Sequence, residues 1–93
     1  MELKVFTLPT CSTCPVAKTM ASEVAAKLGV SYREVNLATR EGQNEGLAYD
    51  ILSAPSIVLE DEVIVRGRLL SKVKLEQEVS ERIEKWKTRS TKP

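Results

Sequence analysis

Apolar positions along this chain recur with two different periods, and the switches between them mark its elements. Leu3-Lys4-Val5-Phe6-Thr7-Leu8 is short, β-prone and stopped by Pro9, which predicts a first strand running into a turn. From Pro15 the period lengthens. Val16, Met20, Val24 and Leu28 recur every four positions with Ala17, Ala21 and Ala25 beside them, which predicts an amphipathic helix ended by Gly29. Residues 30–37 are β-prone again but carry Arg33 and Glu34, as an exposed or edge strand would. A polar stretch follows from Ala38 to Glu45, bounded by Gly42 and Gly46. Leu47, Ala48 and Ile51 then share a helical face and predict a short second helix. Ser56-Ile57-Val58-Leu59 and Glu62-Val63-Ile64-Val65 flank Glu60-Asp61, a spacing that predicts a hairpin. Ser71 is placed to cap a last helix with Leu75, Val79, Ile83 and Trp86 on one face. Glu78/Arg82 and Glu81/Lys85 fall at four-residue spacing on the other, and the helix is expected to end near Lys87.

The order is therefore βαβαββα. A helical crossover joins parallel strands and a tight turn joins antiparallel ones, so the expected fold class is α/β, a four-stranded mixed sheet flanked by three helices. At 93 residues the chain fits one domain, assigned to residues 1–87, with 88–93 as a flexible basic tail. Hydrophobic residues make up 42% and charged residues 29%, enough to build a core and against disorder.

Charge adds mainly exclusions. Fourteen basic against thirteen acidic residues give a net charge of +1, too little to recruit nucleic acid or an anionic membrane by bulk attraction. The N-terminus lacks the apolar run of a signal peptide and no window approaches a membrane span, so a soluble cytoplasmic protein is the default expectation.

The chemistry is concentrated in Cys11-Ser12-Thr13-Cys14, between the first strand and the first helix. Unpaired backbone N–H groups and the positive end of the helix dipole favour an anion there, so Cys11 is expected to ionise readily and act as nucleophile. Cys14, nearer the core, is suited to resolving the mixed disulfide that Cys11 forms. As a structural staple the pair is poorly placed, since a bridge closing so short a loop stabilises by only roughly 2 kcal/mol. Two competing readings are a chance pair of buried cysteines and half of a metal site. The chain has no histidine and no third cysteine, so no metal is assigned to a monomer. Lys18, one turn beyond Cys14, is read as an ordinary solvent-facing lysine and left outside the catalytic set.

Residues 4–15 around the CxxC, residues 49–58 around Ala54-Pro55, and Gly67 together resemble the small thioredoxin and glutaredoxin proteins. The similarity is greatest to the short glutaredoxin-like thioredoxins of archaea and bacteria, and it spans residues 2 to about 87. It implies a thioredoxin fold, a redox-active Cys11–Cys14 disulfide, and a cis Ala54-Pro55 bond with Pro55 against the sulfurs. It also implies a substrate-binding rim at Ala54, Ser12, Thr13 and Gly67. The implied function is dithiol–disulfide exchange with disulfide-containing target proteins, driven by a thioredoxin-reductase-type or other disulfide reductase and requiring no cofactor. One alternative is a glutaredoxin-type reductase using glutathione or another small thiol. Another is a non-enzymatic binding module or a dimeric metal or iron–sulfur carrier.

Three departures stand against the resemblance. Val5 occupies the place of the buried aspartate of thioredoxins, six positions before the first cysteine. Leu8 stands where glutaredoxins carry a lysine. Arg66-Gly67-Arg68, with Ser71 beyond it, replaces the Gly-Gly and acid of a glutathione site.

Overall fold

In a computed structural model of the chain, backbone conformation is described for residues 1–91 and side chains for residues 1–86. The elements are β1 (Glu2–Thr7), α1 (Cys14–Leu28), β2 (Ser31–Asn36), α2 (Arg40–Leu47), β3 (Ser56–Leu59), β4 (Glu62–Val65) and α3 (Lys72–Thr91). The sheet order is β2-β1-β3-β4. Strand β1 runs parallel to β2 and antiparallel to β3, and β3 pairs antiparallel with β4. This is the expected mixed sheet, with the charged β2 on its edge.

Alternation along β1 divides the core between the two faces of the sheet. Leu3 and Val5 point to the face covered by α1 and α3, where they join Ala17, Ala21, Val24, Leu75 and Val79. Phe6 points to the other face and packs with Val35, Leu37, Ile51 and Val58. Central strand β3 is buried along its whole length, which its unbroken Ile57-Val58-Leu59 run allows.

Helix α1 ends as expected, with Gly29 at φ 73° and the N–H of Val30 returning to the Ala25 carbonyl. Its buried stripe is centred on Ala17, Ala21, Val24 and Ala25, with Met20 and Leu28 of the four-residue apolar row packed at its edge. Val16 alone of that row is turned outward, half exposed, because the small alanine side chains beside it bring the helix close to the strands.

The second helix lies earlier than expected. It occupies the polar stretch from Arg40 to Leu47, while Leu47 is exposed and Ile51 falls beyond the helix in the core. Thr39 caps it by accepting the Gly42 N–H at 2.9 Å. Gly42 and Gly46 form its inner face because nothing larger fits: a Cβ on Gly42 would lie 1.8 Å from the Asn36 carbonyl oxygen. A helix that docks through glycine has no apolar periodicity to detect.

In α3, Ser71 accepts the Lys74 N–H at 3.2 Å, as a cap should. Leu75 and Val79 are buried, but Trp86 is half exposed because the helix runs past the end of the sheet. Arg82 and Glu78 pair at 2.6 Å, whereas Glu81 and Lys85 form no ion pair with each other among the described residues. The helical backbone continues to Thr91, past Lys87, because no breaker precedes Pro93. The side chains of the basic tail lie outside the described residues.

Candidate active site

Strand β1 ends at Thr7, and the chain turns through Leu8-Pro9-Thr10, with the Cys11 N–H bonding to the Leu8 carbonyl at 3.1 Å. Cys14 is the first residue of α1 and Pro15 follows it, where a missing N–H costs the helix nothing. Cys11 and Cys14 form a disulfide with a Cα–Cα distance of 5.5 Å. Cys11 is partly exposed, while Cys14 is 3% exposed.

Thr13 is the N-cap of α1, but its side chain bonds to no backbone amide. Its hydroxyl instead lies 3.6 Å from the Cys11 sulfur. The helix pole is thus left open towards the sulfurs, and the first turn contains no acidic residue to neutralise it. Both features favour a thiolate at Cys11 once the bond is reduced.

The Ala54-Pro55 bond is cis. Pro55 is buried and Ala54 packs against the Phe6 cluster. Ser56, the next residue, pairs with Phe6 on β1, which places Pro55 at the same end of the sheet as the CxxC. Ser56 is fully buried and joins two loops: its hydroxyl donates to the Ser53 carbonyl at 2.7 Å and accepts the Gly67 N–H at 3.0 Å. Gly67 has φ 71°, in the left-handed region that suits glycine. Ser12, Thr13 and Gly67 are exposed.

Arg66 donates to the Tyr49 carbonyl through Nε at 3.3 Å and Nη2 at 3.0 Å, so its guanidinium ties two loops together. Val5 is fully buried among apolar side chains, so no carboxylate occupies that core position.

An open cleft of about 200 Å³ runs beside the disulfide between β1, α1 and β2. Both cysteines line it, together with Thr7, Lys18, Glu34 and Asn36, whereas Ala54, Pro55 and Gly67 do not. The Thr7 hydroxyl donates to Glu34 Oε2 at 2.9 Å, and Lys18 Nζ lies 3.6 Å from Glu34 Oε1. None of Lys18, Glu34 and Thr7 belongs to the site expected from the sequence. The spacing from Cys14 to Lys18 was a usable signal, since residues four apart share a helix face. Glu34 had no such signal, because its position depends on the β1–β2 register that sets it beside Val5.

A disulfide that joins one partly exposed and one buried cysteine at a strand-to-helix junction is the working pair of a thiol–disulfide oxidoreductase. Comparison with known proteins agrees. The family model for the thioredoxin domain matches residues 1–80, and the chain belongs to that family. It is 37% identical over 65 residues to a probable thioredoxin of Archaeoglobus fulgidus, covering 70% of this chain and 71% of that one. A thioredoxin of Methanocaldococcus jannaschii is 29% identical over 63 residues, covering 68% and 74%. In three dimensions the chain superposes on thioredoxin 1 of Thermosipho africanus with a TM-score of 0.73 at 15% identity, over 90% of this chain and 96% of that one. The chain is a thiol–disulfide oxidoreductase.

Proposed function

We propose that this protein is a dithiol electron carrier that reduces disulfides in target proteins. The observation that carries this reading is the unequal burial of the two cysteines, Cys11 partly exposed and Cys14 buried. The Cys11 thiolate attacks a target disulfide; a Cys11–target bond forms, and the target's own bond breaks to release one thiolate. Cys14 then loses its proton and attacks the Cys11 sulfur, closing the intramolecular disulfide and expelling the second target thiolate. Two electrons pass to the target and its two thiolates take up protons. A thioredoxin-reductase-type or other disulfide reductase restores the dithiol.

An extended stretch of target lies along the backbone of Ala54 beside Pro55, bordered by Ser12, Thr13 and Gly67. A cytoplasmic setting, where thiols are kept reduced, gives the reaction its direction. Among the described residues no helix is long and apolar enough to cross a membrane, and no group of three or more His, Cys, Asp or Glu side chains is arranged to hold a metal ion. Two positions that would hold glutathione in a glutaredoxin do not support that alternative: Leu8 supplies no charge and Arg66 is engaged with the Tyr49 carbonyl.

Reduction of a disulfide-bonded protein such as insulin tests the mechanism. Cys11→Ser abolishes turnover, and Cys14→Ser accumulates a covalent adduct with the target, seen by mass spectrometry. Full activity in Cys11→Ser would refute the assignment.

A further inference from the structure

Lys18 and Glu34 are the charged side chains that line the cleft shared by the two sulfurs. Each is 40% exposed, and they come from different elements, α1 and β2, to meet across the opening at 3.6 Å. Glu34 is held on its other side by the Thr7 hydroxyl, and Thr7 is 5% exposed. Lys18 lies one helical turn beyond Cys14 on the same face of α1. The remaining cleft wall supplies uncharged groups, with Leu8 from the turn after β1 and Asn36 from β2, so this pair and the helix N-terminus are the charged features that the cleft presents to Cys14.

We propose that Lys18 and Glu34 are positioning residues that set the ionisation of Cys14 in the step that closes the disulfide. Lys18 favours the thiolate, and Glu34 opposes it while fixing the ammonium in place. The inference rests on the dithiol mechanism above and assigns a source for the charge that the apolar Val5 does not provide. In that step Cys14 gives its proton to solvent. Its sulfur electron pair forms the Cys11–Cys14 bond, and the outgoing target sulfur takes the electron pair of the bond that breaks. Removing the two side chains singly has opposite consequences, which loss of a merely structural contact does not produce. Without Lys18 an uncompensated carboxylate raises the Cys14 thiol pKa; without Glu34 an uncompensated ammonium lowers it.

The test mixes the fully reduced chain with 4,4′-dithiodipyridine, a neutral disulfide, in a stopped-flow instrument across a range of pH. Release of the first thiopyridine reports attack by Cys11, and release of the second reports attack by Cys14. Lys18→Met is expected to raise the pH midpoint of the second phase by about half a unit, roughly a threefold loss of thiolate below the midpoint. Glu34→Gln lowers the midpoint by a similar amount, and Lys18→Arg keeps it at the wild-type value. Midpoints that move in the same direction, or do not move, overturn the proposal. Absence of a second release in the wild-type protein is a different failure, because it removes the dithiol mechanism itself.

Discussion

Replacing Ser56 with alanine removes the hydroxyl that joins the loop before the cis-proline to the loop at Gly67. Ser56 is fully buried, and its oxygen makes bonds of 2.7 Å to the Ser53 carbonyl and 3.0 Å to the Gly67 N–H. A typical hydrogen bond contributes about 0.5–1.5 kcal/mol net, and each buried partner left unsatisfied adds about 1–3 kcal/mol. Ser53 and Gly67 are both exposed and water reaches their released groups, so the loss is that of the two bonds alone, about 1–3 kcal/mol. For a domain of this size that lowers Tm by roughly 5–20 °C. Thermal unfolding followed by circular dichroism measures it. Ser53→Ala is the matched control, since Ser53 contributes its carbonyl to the network and its exposed hydroxyl donates nothing. A Ser56→Ala protein that melts within about 3 °C of the Ser53→Ala control would refute the account of how the proline loop is held.

Gly42→Ala, which ordinarily stabilises a helix interior by about 0.5–1 kcal/mol, is expected to destabilise this one by about 2–3 kcal/mol, because the new Cβ meets backbone at Asn36. Chemical denaturation checks the sign, with the exposed Gln43→Ala on the same helix close to neutral. Gly67→Ala costs about 1–2 kcal/mol through its left-handed φ and is read in the same assay. Glu45 has its carboxyl pKa lowered by hydrogen bonds from Arg33, with Lys4 contributing, so its stabilisation is present above the unfolded value of 4.5 and fades as pH falls through the folded value. Glu45→Gln is therefore expected to destabilise slightly at pH 7, by less than ~1 kcal/mol, and to match the wild type at low pH in denaturation curves collected from pH 7 to 2.

Elements whose side chains carry a period were legible before the structure. The hairpin of β3 and β4 falls on the expected residues because two β-branched runs flank a two-residue turn, although the pairing shifts register between Ile57 and Val58. The α1 boundaries followed from Pro15 and Gly29. The second helix was misplaced because its inward face consists of hydrogen atoms on Gly42 and Gly46, and a pattern of side chains cannot report a contact made without them. The active site divided in the same way. Cys11 and Cys14 are local in sequence and could be read, whereas Glu34 reaches the cleft only through pairing of β1 with β2. The exposure of Val16 and Trp86 depends on helix rotation and overhang, which are set by neighbours rather than by the helix itself.

The glycine-faced α2 bears on how this domain can change over time. Because the helix is anchored by its backbone, Arg40, Glu41, Gln43 and Asn44 are all exposed. Substitutions at these four positions can alter the charge and shape of one side of the molecule while leaving the sheet beneath untouched. A lineage can thus revise that outer surface freely, provided that the two glycines stay.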